Sequence, residues 1–202
     1  DTYCLDPVAV TRRITPKTRA VIPVHLFGYP ADMDGIMSLA REHGLRVIED
    51  CAQAPGALYR GRPVGTIGDC GVFSFQETKN ITTGEGGMLI TDNEELAQIA
   101  RMVRNHGEMV LENQPQRTYR ADILGWGYRM TEMEAALGIA QLRKLDDLNL
   151  GRIDLTNHLA AALKDMPGLT PTAVEPDMRH VYYTFAINYD GAVTGLPRDR
   201  FR

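Results

Sequence analysis

Residues 74–91 read SFQETKNITTGEGGMLIT, and the fold depends on this stretch. A short β-type run ends at Ser74, a tight turn follows at Lys79, and the glycines of residues 84–87 lead into a second apolar strand. Glycine lets another backbone come close, and a lysine held at such a turn can present its amine to a carbonyl group. A lone lysine on a hairpin is more often a solvated surface residue. The interpretation of Lys79 therefore depends on residues upstream of it.

The composition is that of an ordinary globular protein. The chain has 202 residues, of which 44% are hydrophobic and 24% charged, as is typical of a domain with a real core. A net charge of −4 offers no basic surface for nucleic acid. No run approaches the roughly 18 apolar residues of a membrane span, and no signal-peptide pattern opens the chain. We therefore expect neither a nucleic-acid partner nor a membrane.

The cysteines indicate a reducing compartment. Cys4, Cys51 and Cys70 are odd in number and show no CxxC spacing, which is typical of free thiols and not of a disulfide framework or a zinc site. We therefore expect a cytoplasmic protein. The chain begins at Asp1 without a methionine and stops at Arg202 just after a predicted strand and turn. This pattern predicts an interior piece of a longer protein.

A strand–helix–strand unit is predicted before the lysine turn. Residues 20–27 (AVIPVHLF) form a continuous apolar run, typical of a strand buried on both faces. A helix capped by Asp32 follows, and residues 45–48 (LRVI) form a second strand that ends in an acidic pair. Such a unit belongs to a parallel sheet, in which the chemistry collects beyond the carboxyl ends of the strands. His25 and Asp50 are at such ends.

Short strands and helices follow each other along the rest of the chain. The further predicted elements are a helix at 6–14, strands at 70–75 and 88–91, a helix from Asn93 to near Gly107, a long helix from Thr131 to about Lys164 with a possible kink at Gly151, and a strand at 181–187. Thr131 and Glu134 have the spacing of a capping box. Residues 51–69 and 108–123 are expected to be loops.

Four polar residues suggest a common chemistry. A lysine that forms a Schiff base with an aldehyde cofactor needs a carboxylate that keeps the cofactor's ring nitrogen protonated, and Lys79 with Asp50 provides that arrangement of pyridoxal phosphate enzymes. Gln53, three residues after Asp50, can meet the neighbouring phenolic oxygen. Ser74, on the strand before the lysine, can donate to the phosphate. Each residue alone is weak evidence, since an acidic pair at a strand end is most often a loop entry.

The ordered set resembles a known family. The segments VIEDCAQAPGA (47–57) and GDCGVFSFQETKNITTGEGGMLIT (68–91) are similar to the DegT-type sugar aminotransferases, a branch of the fold-type I pyridoxal phosphate enzymes. The resemblance extends to RMVRNHG (101–107) and LGWGYRM (124–130). It implies an α/β fold: a truncated large domain with a mostly parallel sheet flanked by helices, followed by the start of a smaller α+β domain. The boundaries implied are a partial cofactor-binding domain at 1–149, and a connecting helix with the beginning of the small domain at 150–202.

The resemblance also implies roles for the residues of the site. Lys79 would bind the cofactor and then move the proton between the cofactor and substrate carbons. Asp50 would pair with the pyridinium nitrogen, Gln53 would contact the ring oxygen, and Ser74 would hold the phosphate of pyridoxal 5′-phosphate. Gln76 falls where relatives place a histidine or another polar residue near the cofactor. A homodimer with shared active sites is implied as well.

Two departures from the family pattern stand out. Many relatives have an asparagine in the LGYNYRM motif that reaches the phosphate of the neighbouring subunit's cofactor, and this chain has Gly127 there. Relatives also have about a hundred further residues before the matching point, including a Gly-Thr-Ala stretch that cradles the phosphate at a helix N-terminus. We therefore expect the chain alone to bind the cofactor poorly and not to turn over.

His25 and Arg104 are weaker substrate candidates. His25, at a strand end, would face the substrate side of the cofactor, or would be a buried histidine satisfied by backbone groups. Arg104, in RNHG, would meet an anionic substrate group, or would bond a carbonyl at the helix end. Both alternatives stay open at this point.

The function implied is transfer of an amino group from glutamate or glutamine to a keto group of a nucleotide-linked sugar. Cyclitol and aminobenzoate branches of the family are the alternatives, as is a non-catalytic regulatory relative. Because a sugar-dehydrating relative replaces the lysine by histidine, Lys79 speaks against that activity. A nicotinamide-binding domain would need GxGxxG opening a helix, whereas the glycines here precede a strand.

Overall fold

The computed structural model describes residues 2–109 and 120–201. The strands are β1 (Ala20–Val21), β2 (Arg46–Asp50), β3 (Leu58–Tyr59), β4 (Arg62–Pro63), β5 (Cys70–Ser74), β6 (Gly87–Ile90), β7 (Leu169–Pro171), β8 (Met178–Arg179) and β9 (Ile187–Tyr189). The helices are α1 (Pro7–Thr11), α2 (Met33–His43), α3 (Glu94–Arg104), α4 (Glu132–Leu142), α5 (Leu145–Leu163) and α6 (Gly191–Thr194), with 3₁₀ turns at Leu26–Gly28 and Arg198–Arg200. The helices lie outside a central sheet, as expected of an α/β fold.

The central sheet has the strand order β1-β2-β5-β6. β1, β2 and β5 run parallel, and β6 returns antiparallel to β5. The turn with Lys79 is the connection between β5 and β6. The predicted, mostly parallel α/β architecture is therefore confirmed, and the carboxyl ends of β2 and β5 meet at one edge of the sheet.

Helix α2 forms as predicted and covers this sheet. The Asp32 side chain accepts a hydrogen bond from the Gly35 amide at 3.1 Å, and Gly44 ends the helix with φ +62°. The helix buries one apolar face, Met33, Ile36, Leu39 and Ala40, in the core that includes Val47 of β2. Burial of about 25 cal/mol per Å² of apolar surface is the main term that holds the two together.

The predicted strand at 20–27 is wrong beyond Val21. Pro23 has no amide to donate, and the pairing continues only as an isolated bridge between Val24 and Asp50 before the chain turns into the 3₁₀ segment. Ile22 is 54% exposed, so the run is not buried on both faces. His25 therefore starts a turn and does not end a long strand.

The long helix predicted from Thr131 is two helices. The predicted capping box is present: the Glu134 amide donates to Thr131 Oγ1 at 3.3 Å, and the Thr131 amide donates to Glu134 Oε2 at 2.7 Å. The break lies at Lys144, whose amide donates to the Gln141 carbonyl three residues back, as in a 3₁₀ turn. Gly151 lies inside α5 and produces no break there.

Two further predictions need correction. Of the strand predicted at 181–187, only Ile187 lies in a strand, β9 (Ile187–Tyr189), which pairs with β7. The expected loop at 51–69 contains the β3–β4 hairpin, and β3 also pairs with β8. Most of the loop predicted at 108–123 lies outside the described residues.

Among the described helices, none has the length and apolar character needed to cross a bilayer.

Candidate active site

The site is built where β2 and β5 end side by side. The parallel register pairs Asp50 with Val72, and the amide of Cys51 donates to the Val72 carbonyl at 2.8 Å. Ser74, at the end of β5, lies two residues beyond that pair. Asp50 and Ser74 therefore leave the sheet at the same edge, as predicted for parallel strands.

The Asp50 carboxylate has acceptor capacity to spare. It is half-buried, and its Oδ1 accepts a hydrogen bond from the Ala52 amide at 3.0 Å. Among the described residues, no lysine, arginine or histidine forms an ion pair with it. A half-buried carboxylate without a protein cation is suited to bind a positively charged ligand group.

Lys79 lies in a tight turn and rests on an aromatic ring. Its amide donates to the Gln76 carbonyl at 3.0 Å, which closes the turn. Its Nζ is 4.7 Å from the centroid of the Tyr183 ring, within cation–π range. Thr78 Oγ1 and the Tyr183 hydroxyl are 3.1 Å apart, which holds the ring beside the turn. In the described parts of the chain, no carboxylate pairs with this amine.

Gln53 is fixed by a backbone donor. Its side-chain oxygen accepts a hydrogen bond from the Phe27 amide at 2.6 Å. Because an amide N–H can only donate, the atom that faces it is the side-chain oxygen. The Gln53 NH₂ group therefore points away from Phe27, and no hydrogen bond to another described residue uses it as a donor.

Ser74 and Gln76 have different environments. The Gln76 amide donates to Ser74 Oγ at 3.4 Å, a long contact that leaves the hydroxyl proton available. The Gln76 side-chain oxygen accepts from the Thr78 amide at 2.9 Å and from the Thr78 hydroxyl at 2.6 Å. Gln76 thus stabilises the lysine turn from within, and its NH₂ group remains as a donor.

The environment of His25 favours a structural role. The side chain is fully buried; its Nε2 lies 3.1 Å from Glu49 Oε2, and its Nδ1 accepts from the Ala31 amide at 3.0 Å. Since both ring nitrogens have protein partners in the interior, the alternative of a satisfied core histidine describes it. Neither ring nitrogen of His25 is therefore left to contact a substrate.

Glu49 is the organising residue that sequence reasoning missed. Its fully buried carboxylate accepts hydrogen bonds from the amides of Gly65, Ile67 and Gly68 at 2.6–2.7 Å, besides the contact with His25. Burial opposes the charged form, but these bonds outweigh it and hold the pKa of Glu49 below its ordinary value. The alternation of β2 was an available signal, because Glu49 lies on the same face as buried Val47.

Arg104 belongs to α3 and not to the lysine turn or the ends of β2 and β5. It is exposed on the last turn of α3, and its carbonyl accepts a hydrogen bond from the Tyr128 amide at 3.0 Å. Within the described residues, its side chain forms no ion pair with a carboxylate. Gly127 pairs with Asn105 nearby, and a Cβ added to it would come within 3.0 Å of the His106 ring. Among the described residues, no hydrogen bond or ion pair joins Arg104 to Lys79.

A segment near the C-terminus completes the site, and sequence reasoning did not assign it. The rings of His180 and Tyr182 stack with centroids 3.8 Å apart, and Val181 donates to the Gly28 carbonyl at 3.0 Å. Burial lowers the pKa of His180 to about 4, so the ring is neutral near pH 7. This segment connects the Gln53 side of the site with Tyr183 beneath Lys79. The aromatic run VYYTF (181–185) was the available signal, although its alternation predicts a strand.

Comparison with known proteins identifies the family. Residues 1–201 match the DegT/DnrJ/EryC1/StrS aminotransferase family. The chain belongs to this family. A family relative, the UDP-N-acetyl-3-dehydro-alpha-D-glucosamine 3-aminotransferase of Acidithiobacillus ferrooxidans, is 43% identical over 92% of the chain and 48% of its own length. The GDP-perosamine synthase of Caulobacter vibrioides is 41% identical over 92% of the chain and 49% of its own length.

Other family members widen the range of substrates. A putative L-glutamine:3-amino-2,3-dideoxy-scyllo-inosose aminotransferase of Micromonospora echinospora is 40% identical over 99% of the chain and 48% of its own length. Among solved structures, S. venezuelae DesV in complex with ketimine intermediate superposes with a TM-score of 0.88, at 39% identity over 98% of this chain and 50% of that one. The chain thus spans about half the length of the relatives it matches, and its fold is that of their fold-type I aminotransferases.

Proposed function

We propose that the protein containing this chain is a pyridoxal phosphate-dependent aminotransferase that acts on a keto group of a nucleotide-linked sugar. The observation that carries the proposal is the placement of Asp50 at the carboxyl end of β2, beside β5 and the Lys79 turn, in a chain of the sugar aminotransferase family. Glutamate or glutamine would be the amino donor.

The residues present fit the cofactor by their chemistry. Asp50 is a half-buried acceptor without a protein cation among the described residues, as a protonated ring nitrogen requires. The Gln53 oxygen is directed at the Phe27 amide, which leaves the NH₂ donors for the ligand; these suit a phenolic oxygen. Ser74 keeps a hydroxyl donor for the phosphate. Bound there, pyridoxal phosphate supplies an aldehyde that receives the amino group and a ring that stores electrons.

Lys79 would act both as the anchoring amine and as the base. The amine has no paired carboxylate in the described chain and lies 4.7 Å from the centroid of the Tyr183 ring, so no ion pair has to break before it can react. The four-carbon side chain pivots about a turn fixed by the bond from the Lys79 amide to Gln76. After release it would carry the proton between the cofactor and the substrate carbon, as general base and then general acid.

The proposal also covers two further side chains, the domain boundaries, the oligomer and the cellular location. Gln76, whose NH₂ group is not used within the turn, would face the substrate side, whereas Arg104 is a weaker candidate because it lies on the last turn of α3. We propose domains at 1–149 and 150–202, a homodimer with shared active sites, and a cytoplasmic location. The free thiols of Cys4, Cys51 and Cys70 support that compartment.

A cyclitol ketone is the second candidate acceptor, favoured by the similarity to the inosose aminotransferase. Both kinds of acceptor have a keto group next to hydroxyls, but only the sugar acceptor carries a nucleotide. A non-catalytic relative is disfavoured because both Lys79 and Asp50 are present.

The test uses the full-length gene product that contains this chain. We expect it to bind pyridoxal phosphate with a visible absorbance band that shifts when glutamate or glutamine is added. Borohydride reduction followed by mass spectrometry should place the cofactor on Lys79, and the charge-conserving control Lys79→Arg should carry no label. Keto-sugar nucleotides and cyclitol ketones then identify the acceptor. Absence of label on Lys79 in the parent protein would refute the proposal.

A further inference from the structure

Two buried asparagines connect the lysine turn to the body of the protein. Asn80, which follows Lys79, is 5% exposed, and Asn149 of α5 is fully buried. Asn80 Nδ2 donates to Asn149 Oδ1 at 2.9 Å and to the Val181 carbonyl at 3.0 Å. Asn149 Nδ2 in turn donates to the Pro55 carbonyl at 2.9 Å. We refer to Asn80 and Asn149 as the asparagine pair.

The orientation of both amides is dictated by the backbone. The carbonyls of Val181 and Pro55 can only accept, so the atoms that face them must be nitrogens. Asn149 therefore turns its oxygen toward Asn80, where the second proton of the Asn80 NH₂ group meets it. The pair has one satisfactory arrangement, and it fixes the Asn80 backbone relative to α5.

The three segments that the pair joins are those that bear the candidate site. Asn80 belongs to the turn of Lys79. Pro55 is in the loop of Gln53, and Val181 is in the segment of Tyr183. The lysine turn is thus tied by side chains, across large sequence separations, to the same two segments that flank the proposed cofactor.

Two features of this arrangement are unfavourable for the stability of the folded protein. Asn80 Oδ1 is buried and has no hydrogen-bond partner in the described structure, which is unfavourable. Gly56 has φ +82°, and a Cβ there would lie 2.7 Å from Asn149 Nδ2, so the pair also needs a glycine beside it. Apolar side chains would avoid the unsatisfied oxygen, but they would leave the Val181 and Pro55 carbonyls without these donors and the turn without its tether. A costly polar arrangement next to a reactive residue points to a role in function.

We propose that Asn80 and Asn149 are positioning residues that hold the Lys79 turn in the geometry needed for proton transfer. The proposal rests on the proposed function of Lys79. Without the pair, the turn keeps its local bonds but loses its tether to α5 and Val181. A displacement of about 1 Å at the reacting amine is enough for a rate loss of about 10²-fold.

The kinetic test compares Asn80→Ala, Asn149→Ala and the double variant in the full-length gene product. We expect kcat to fall about 10- to 100-fold in each single variant, with less change in the KM of the amino donor. Because Asn149 reaches the lysine turn through its bond with Asn80, the double variant should lose little more than Asn80→Ala alone. Thr156→Val is the matched control, since Thr156 is also buried on α5; it should keep kcat within about twofold.

A second measurement needs neither cofactor nor turnover. In the cofactor-free protein, hydrogen exchange of residues 76–84 should be faster in Asn149→Ala than in the parent, and unchanged in Thr156→Val. If Asn149→Ala does not fold, Asn149→Leu serves instead, because it removes the acceptor for Asn80 and fills the space that the amide leaves. With cofactor bound, the pH midpoint of the absorbance band should move in the same variants.

The two proposals fail in different ways. Parent-like kcat, exchange and pH midpoint in both single variants would overturn the positioning role, even with the cofactor found on Lys79. If the parent protein carries no cofactor on Lys79, the proposed function fails first, and faster exchange in the variants then shows a tether without a catalytic role.

Discussion

The side-chain oxygen of Gln53 accepts a hydrogen bond from the backbone amide of Phe27 at 2.6 Å. Phe27 has φ +59°, a left-handed conformation that bulky residues rarely adopt. Gln53 therefore helps to hold a strained turn, and at the same time directs its NH₂ group away from that turn. One side chain thus stabilises the turn through its oxygen, and under the proposed function its nitrogen would donate to the cofactor.

Substitutions at Gln53 should separate these two effects. Gln53→Glu keeps an acceptor for Phe27 and loses the donors, so we expect near-parental stability with cofactor affinity reduced about tenfold or more. Gln53→Leu removes the acceptor as well and should also lower the free energy of unfolding by about 1–3 kcal/mol. Urea denaturation and absorbance titration with pyridoxal phosphate measure the two quantities. Equal cofactor affinity in Gln53→Glu and the parent would contradict this division.

Asp50→Asn should lower the turnover rate more than the free energy of unfolding. The asparagine oxygen can still accept from the Ala52 amide, so the loop keeps its bond. The negative charge that would stabilise the protonated ring nitrogen is lost, and we expect turnover to fall about 10²- to 10³-fold with some cofactor retained. Single-turnover absorbance changes with glutamate measure the effect. A rate equal to the parent's would show that Asp50 is not the ring-nitrogen partner.

Glu49→Gln should be strongly destabilising although it touches none of the proposed cofactor contacts. A glutamine would direct an NH₂ group at backbone amides that need an acceptor, and His25 would lose its charged partner. We expect a loss of about 3 kcal/mol or more in the free energy of unfolding. Glu42→Gln on α2, where the side chain is 75% exposed, is the control and should stay within about 0.5 kcal/mol.

The depressed pKa of Glu49 also predicts an acid limit. The unfolded chain takes up this proton at a higher pH than the folded protein does, so the contribution is complete above an ordinary pKa of about 4.5 and is lost as pH falls through the folded value. Unfolding midpoints measured between pH 5 and pH 3 should therefore fall less steeply in Glu49→Gln than in the parent.

His180 predicts a separate pH dependence at milder acidity. Burial lowers its pKa from 6.5 to about 4, so between these values the unfolded chain binds a proton that the folded protein excludes. Stability should decline as pH falls from 6.5 toward 4, by an amount of order 2–3 kcal/mol, and not change further from this source below that. His180→Gln, whose oxygen can accept from the Tyr182 amide, should flatten the curve in this window. An unchanged slope would contradict the assignment.

Gly127→Asn should restore the asparagine common in relatives. The new Cβ would approach the His106 ring to 3.0 Å, but His106 is exposed and can move, so we expect a stability change within about 1 kcal/mol. If the proposed dimer forms, the full-length protein should retain cofactor longer during dialysis. Gly127→Ala adds the Cβ without a donor and is the control. Equal retention in both would contradict a role for the amide.

The sequence predicted the strands of the sheet better than the side-chain hydrogen bonds between distant segments. Apolar runs and caps identified β2, β5, β6 and α2, because their signals are local and repeat with the period of the element. The order of Asp50, Ser74 and Lys79 at one edge followed from parallel strands. The prediction of a strand at 20–27 was wrong beyond Val21, because Pro23 interrupts the pairing although the run is otherwise apolar.

Long-range polar pairs had no local signal. Asn80 and Asn149 are separated by 69 positions, and each reads as an ordinary polar residue in its own turn or helix. Glu49 was grouped with Asp50 as an acidic strand end, although adjacent strand residues point to opposite faces. The two acids therefore have opposite environments, one enclosed by backbone amides and the other facing the site.

The bond from Asn80 to the Val181 carbonyl closes a loop of 101 positions. During synthesis on a ribosome, the Lys79 turn leaves the exit tunnel long before Val181 is made. The strands and α2 can form early, but the turn cannot be tethered until the chain has grown past the aromatic segment. The reactive amine is therefore set in place late, after the sheet that surrounds it, and nascent chains stopped before Val181 should display an untethered lysine.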